Sequence, residues 1–364
     1  MANIFNPIII KGIPLNNRIV MAPMTRARCS QPGNLPNILM AEYYAQRATA
    51  GLIISEATQV SEDAQGYSST PGIYTNQQLQ NWKIVTSLVH AKGSKIFNQL
   101  WHAGRVSHPS LLNGQRPIAP SAIKPQDTYV WIANEDRNGE MVACVKPREM
   151  CLEDIRRVVG NFADAAEKSI EAGFDGVEIQ GGNGYLIDQF LRTCSNTRTD
   201  CYGGNKEKRS RFLLEVVDAV ANRIGVNRTA VRLSPYVTRK DMSCPDIVST
   251  TLDLAIKLQL RDIAYLHLSE ADWNDAPEIS DSFRAELRHR FSNCIIVAGR
   301  YDLKRASRIL EKGYADLVAF GRAFIANPDL VRRMQFNMPL AKLDPTTLFG
   351  GGEYGYCDYP RYVK

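Results

Sequence analysis

The chain has no apolar run long enough to span a bilayer, no block of like charges, no internal repeat and no low-complexity stretch. Its start, M-A-N-I-F-N-P-I-I-I-K, holds a brief apolar run cut by Pro7, which fits neither a signal peptide nor a membrane span. Eight cysteines, at 29, 144, 151, 194, 201, 244, 294 and 357, form no C-x-x-C pair and lack the dense spacing of a secreted disulfide scaffold, so reduced thiols in the cytoplasm are expected. Five histidines, His90, His102, His108, His267 and His289, make no H-E-x-x-H motif and have no cysteine partner, and no metal site is expected. The 44 basic and 38 acidic residues leave a net charge of +6 without basic clusters or a stacking platform. That speaks against nucleic acid and suits anionic small molecules such as phosphorylated cofactors.

What the 364 residues do contain is a repeated order of short apolar runs and helical segments. The runs lie near Arg18–Met21, Leu52–Ser55, Lys95–Gln99, Gly176–Ile179, Ala230–Leu233, Ile263–Leu268, Ile295–Ala298 and Leu317–Phe320. Helical character follows each of them: Met40–Ala50, Leu79–Ala91, Leu152–Ala172, Arg211–Arg223, Ser249–Leu258, Ser282–Arg290, Leu303–Lys312 and Asp329–Met334. Eight strand-then-helix units imply parallel strands, and their closed form is a (β/α)8 TIM barrel; an open doubly wound sheet is the alternative. One domain, 1–364, is expected. Between the third run and the third helix, about 105–148, lies an insertion far longer than an ordinary βα loop. Its Asn138-Gly139 turn signal, between roughly alternating runs, predicts a hairpin serving as a lid after strand three.

Barrel active sites gather at the strands' carboxyl ends, where polar or small residues recur: Pro23-Met24-Thr25, Ala57, Gln99 with Trp101-His102, Gln180, Arg232, Gly299-Arg300 and Gly321-Arg322. After the last two strands, glycine lets backbone N–H groups approach a phosphate, with arginine beside them, so a phosphate-bearing ligand is expected there. The strand Gly176–Ile179 runs into a turn presenting Gln180, Asn183 and Tyr185, three hydrogen-bond donors placed to hold and polarise a carbonyl.

The stretch from Gln180 to Gly204 resembles the signature of the old yellow enzyme family of flavin-dependent ene-reductases, H-x-x-[HN]-x-Y followed by L-x-x-Q-F-L and R-x-D-x-Y-G-G. The likeness extends from R-I-V-M-A-P-M-T-R at Arg18 to G-Y-C-D-Y-P at Gly355, and is nearest to the bacterial N-ethylmaleimide and nitrate-ester reductases. One departure stands out, since the family's histidine is Gln180 here. The resemblance implies FMN, reduced by NAD(P)H, with Pro23, Met24 and Thr25 bordering the isoalloxazine and Ala57 offering its backbone. Gln99 would meet the pyrimidine edge, Arg232 would place positive charge near N1, and Gly299, Arg300, Gly321 and Arg322 would take the phosphate. Reduced flavin would pass hydride to an activated alkene (an enone, maleimide or nitroalkene) whose oxygen is held by Gln180 and Asn183, and Tyr185 would supply the proton.

Tyr67, Trp101 and Tyr356 are expected as pocket walls. His102, within W-H-A-G-R, is expected to be structural. Lys240, where relatives carry a neutral residue, reads as a solvated lysine, or alternatively as a preference for acidic substrates. Two other functions stay open from sequence: a flavin- and ligand-binding homologue with weak turnover because of Gln180, and a flavin-free barrel lyase or isomerase on a sugar phosphate. The sequence leaves the oligomeric state open, and a monomer is compatible with it.

Overall fold

A computed structural model describes residues 3–134, 139–270 and 278–362. Eight parallel strands, Ile19–Met21, Leu52–Ile54, Lys95–Trp101, Gly176–Gln180, Thr229–Leu233, Tyr265–Ser269, Cys294–Ala298 and Leu317–Phe320, form its centre. Each pairs with the next, and the ring closes where Val318, Ala319 and Phe320 align with Ile19, Val20 and Met21. The architecture is therefore a (β/α)8 barrel, and the closure rules out an open doubly wound sheet. The apolar runs of the sequence coincide with these strands to within two residues at either end.

Alternation along each strand splits the core in two. Outward-facing Ile19, Ile53, Ile96, Val177, Val231, Leu266, Ile295 and Val318 join the helices in one apolar cluster. Inward-facing Val20, Leu52, Ile54, Phe97, Ala230, Tyr265, Ile296 and Leu317 form a second. The amino-terminal apolar run supplies the barrel's floor: Ile8–Ile10 pairs antiparallel with Ile13–Leu15 through a turn at Lys11 and Gly12, both at positive φ, and Ile10 and Leu15 pack onto the inner cluster. The helix expected over Met40–Ala50 spans Ile38–Gln46 and ends early, because Arg47 turns its buried guanidinium onto the carbonyls of Tyr43, Phe324 and Ile325.

Inside the 105–148 insertion, Tyr129–Ala133 pairs antiparallel with Gly139–Ala143. Asn138, the first residue of the expected turn pair, lies outside the described residues. The hairpin is tied to the segment after strand two: Ser68 N–H donates to the Trp131 carbonyl at 3.1 Å, and Ala133 N–H donates to Ser68 Oγ at 3.0 Å. Val130 is buried with Val106 and Cys144 against Tyr67 and Tyr185. No described helix is long and apolar enough to cross a membrane.

Candidate active site

The carboxyl ends of the strands surround a cavity of about 780 Å³. The turn after strand four shapes its reactive side. Asn183 stands in the left-handed region at φ 57°, a conformation its short amide side chain tolerates. It is held there by donation from its N–H to Ser234 Oγ at 2.6 Å and by acceptance at its carbonyl from Lys240 Nζ at 2.9 Å. Gly182 is required beside it, since a Cβ would stand 2.7 Å from Ser234 Oγ. The motif that follows is structural support. Gln189 donates to the carbonyls of Ala103 and Gly184 and accepts from Arg105 N–H, locking the Tyr185 turn to the W-H-A-G-R loop. Arg198 grips Asp200 and the carbonyls of Pro120 and Met150 in the same supporting manner.

Gln180, Asn183 and Tyr185 all line the cavity. Gln180 Oε1 accepts from Gly182 N–H at 3.3 Å, so its acceptor is occupied and its amide NH2 points elsewhere. The Asn183 amide oxygen is buried with no hydrogen-bond partner among the described residues. The Tyr185 hydroxyl lies 3.0 Å from that of Tyr67, and Lys240 Nζ sits 4.5 Å from the centre of the Tyr185 ring. Lys240 is thus folded onto the site and is not a solvated lysine. Burial, then the neighbouring Tyr185, pushes the Tyr67 phenol well above its ordinary pKa, so Tyr67 stays protonated.

Below the cavity floor, strands three to six place a polar cluster inside the barrel. Glu178, fully buried, accepts from Gln99 Nε2 at 2.7 Å, His267 Nδ1 at 2.8 Å and the Tyr265 hydroxyl at 3.1 Å. Burial alone would raise its pKa, but His267, Arg232 and the Gln99 amide together hold the carboxyl below its usual value. Burial drives His267 the other way, below the ordinary imidazole value despite the carboxylate, so we read a neutral ring with its proton on Nδ1. Arg232 donates to Ser269 Oγ at 3.3 Å and lines the cavity with Gln99.

Strands seven, eight, one and two provide the opposite wall. Gly299, Arg300, Gly321 and Arg322 line it, with Pro23, Met24, Thr25 and Ala57. Arg300 adopts φ 51° and its carbonyl accepts from Arg305 at 2.7 Å, which fixes the bend. A Cβ on Gly321 would stand 3.3 Å from Met24 Sδ, so a glycine there keeps the space beside Met24 open. Paired glycine-arginine ends, a buried amide and a buried guanidinium around one cavity of this size fit a phosphate-bearing aromatic cofactor such as FMN.

Two expected walls stand behind the cavity and do not line it. Trp101, with no exposed surface, stacks on Tyr67 at 5.8 Å and meets Tyr185 edge-on at 5.2 Å. Tyr356 turns inward, stacked on Tyr43 at 4.0 Å under the guanidinium groups of Arg26 and Arg28. The carboxyl-terminal segment reaches the cavity with Leu348 and Phe349, ahead of the glycine run 350–352. Tyr129, Trp131 and Met141 of the hairpin, and Arg239 and Tyr301, also line it without having been anticipated. The hairpin's alternating pattern was the available signal for the first three; the loop positions of Arg239 and Phe349 gave none. His102 is buried away from the lining, accepts from Gly104 N–H at Nδ1, and is pushed down to about 4 by burial, so it remains neutral and structural.

Residues 3–341 match the NADH:flavin oxidoreductase / NADH oxidase family. The chain is 40% identical to the probable flavin mononucleotide-dependent alkene reductase of Leishmania infantum, covering 97% of this chain and 96% of that one. Among solved structures, morphinone reductase in complex with tetrahydroNAD is 43% identical, with a TM-score of 0.94 over 99% of this chain and 98% of that one. The old yellow enzyme homologue of Zymomonas mobilis is 38% identical, with a TM-score of 0.92 over 98% and 99%. The chain belongs to the old yellow enzyme family and is an FMN-dependent NAD(P)H oxidoreductase. That membership sets aside a flavin-free lyase or isomerase.

Proposed function

We propose that this enzyme reduces activated alkenes such as enones, maleimides and nitroalkenes, with Gln180 and Asn183 binding the activating oxygen and Tyr185 delivering the proton. When bound, FMN would supply the hydride chemistry, with NAD(P)H as the reductant and the alkene's β-carbon as the acceptor. Pro23, Met24, Thr25, Ala57, Gln99, Arg232 and the two glycine-arginine pairs would hold the FMN. With Gln180 Oε1 occupied by Gly182 N–H, the amide NH2 is the end left to donate toward substrate, as Asn183 Nδ2 would beside it. Two such donors stabilise the negative charge that grows on the substrate oxygen.

The observation that carries this reading is the Tyr185–Tyr67 pair. A phenol that gives up its proton leaves an oxyanion, and here that oxygen lies 3.0 Å from a second hydroxyl held protonated, with a lysine ammonium over the ring. Tyr67 would therefore donate to the Tyr185 oxygen as the proton leaves, and Lys240 would oppose the new charge. The hairpin over the rim is proposed as a lid and the whole chain as one FMN-binding unit. With all eight cysteines free, we place the enzyme in a reducing compartment, the cytoplasm.

The test is turnover by the purified protein. NAD(P)H should bleach the flavin absorbance, and a cyclic enone or N-substituted maleimide should restore it without oxygen. A flavin that is reduced but never reoxidised by any such alkene would favour the reading in which Gln180 leaves only ligand binding. Deleting the hairpin should change substrate KM values and leave FMN bound; lost FMN with an unchanged substrate profile would show the hairpin to be scaffold.

A further inference from the structure

The polar cluster inside strands three to six is fully buried, lies below the reacting groups, and has no part in the proton and hydride steps. A buried carboxylate surrounded by three donors is costly unless each is well placed, and Glu178 receives all three within 3.1 Å. A carboxylate has no proton to give, so the end of the Gln99 amide that faces it must be NH2, and the amide oxygen is the end left to face the cavity. His267 secures this arrangement from behind, since its Nδ1–H donates to the other carboxylate oxygen.

We infer that Glu178 is a positioning residue for the flavin: it turns the Gln99 oxygen outward to accept from the imide N–H of the pyrimidine ring, and its charge offsets Arg232 at that edge. The inference rests on the assignment of Gln99 and Arg232 as flavin contacts. Negative charge grows on the pyrimidine ring as flavin is reduced. Arg232 favours that growth and a carboxylate beside it opposes it, so Glu178 holds the bound flavin's midpoint potential down. Neither effect requires Glu178 to touch substrate or cofactor.

Two substitutions separate the parts. Glu178→Gln keeps length but removes the charge and replaces one of the two acceptor oxygens by NH2, and should shift the midpoint potential positive, corresponding to at least a threefold rise in the preference for reduced over oxidised FMN. Glu178→Asp keeps the charge but withdraws it by one methylene from Gln99, and should weaken FMN binding roughly tenfold through the loosened amide, with the potential close to the parent's. FMN affinity by fluorescence titration and potential by spectroelectrochemistry read these without substrate. An unchanged potential in Glu178→Gln, or unchanged FMN affinity in Glu178→Asp, would overturn the inference. Should the Gln variant not fold, the Asp affinity decides alone. A merely structural glutamate would lower stability in both variants without separating charge from reach. Failure of the flavin-contact assignment would look different: Gln99→Leu in the parent background would leave FMN affinity unchanged, and would overturn this inference with it.

Discussion

Two buried glutamates at the strands that flank strand three meet opposite fates. Glu178, in strand four, accepts from three side chains at 2.7 to 3.1 Å and is held below its ordinary pKa. Glu56, just past strand two, is as completely buried, but its donors are distant: backbone N–H groups of Arg26 and Ala27 at 3.2 and 3.4 Å and the Tyr44 hydroxyl at 3.4 Å. Burial wins there and pushes its pKa up to about 7 against the pull of those bonds and of Arg26 and Arg28. Equal burial does not decide ionisation; the donors' quality does. The contrast extends to the barrel's halves. Strands three to six add Gln99, Glu178, Arg232 and His267 to the apolar Phe97 and Ala230 and to Tyr265 in the interior, while seven, eight, one and two fill it with Ile296, Ala298, Leu317, Ala319, Val20, Leu52 and Ile54 alone. One half is built to place charge, the other to leave room.

If that division holds, injuries to the two halves must have different symptoms. Tyr185→Phe should give the largest effect, because it removes the proposed acid and nothing else: enone reduction should fall by roughly 10²–10⁴-fold, while reduction of the flavin by nicotinamide stays within about twofold. Rapid-mixing absorbance separates the half-reactions, and an enone step as fast as the parent's would move the acid to a pocket water. Arg300→Ala with Arg322→Ala strikes the roomy half. If these exposed arginines hold the phosphate as proposed, their loss should weaken FMN binding by roughly 10- to 100-fold, and turnover per bound flavin should be nearly unchanged. Reduced turnover at full FMN occupancy would break the division.

Strand positions were legible because each is a short apolar run buried on both faces, and the closed barrel followed from counting them. The cavity-lining residues at strand ends could be read from position alone: eight strands fix where Gln99, Gln180, Arg232 and the glycine-arginine pairs must point. Glu178 and His267 were invisible for the same reason. In G-V-E-I-Q, a charged residue between apolar ones reads as the solvent face of a half-buried strand, and only closure turns that face inward. Tyr356 and Phe349 show a second limit. Both are aromatics in one glycine-rich segment, and which of them reaches the cavity is decided by the slot against Tyr43, a contact more than 300 residues away in sequence. Lys240 belongs with them, since a loop that crosses beneath the Asn183 turn carries no periodic signal.

Gln180→His sharpens the comparison within the polar half. Histidine can keep the Gly182 contact with one ring nitrogen and donate with the other, and it can become cationic opposite a phenolate. Phenolic ligands should bind roughly 5- to 30-fold more tightly, read from the long-wavelength band that phenolate forms over oxidised flavin. Equal binding would show that the amide donor already serves as well.

The smallest effect expected concerns Glu56 itself and tests the comparison at its source. Its carboxyl titrates near 4.5 when unfolded and at about 7 in the fold, so the folded state binds the proton more tightly. The contribution to stability is therefore complete below pH 4.5 and is lost as the pH rises through 7, with a slope of at most about 1.4 kcal/mol per pH unit between those limits. Other groups titrate in this window, so the quantity to measure is the difference between the parent and Glu56→Gln. The glutamine imitates the protonated carboxyl, with an oxygen for the Arg26 and Ala27 N–H groups and an NH2 toward Tyr44. Chemical-denaturation curves at pH 5 and pH 8 should show the parent losing ground to the variant on going to the higher pH, seen also as a melting temperature that falls a few degrees further. Glu178→Gln should not reproduce that pattern, because its carboxylate is already ionised throughout the same range. A flat difference for Glu56 would mean that its long backbone contacts, with Arg26 and Arg28 behind them, stabilise the carboxylate as fully as the close bonds to Glu178.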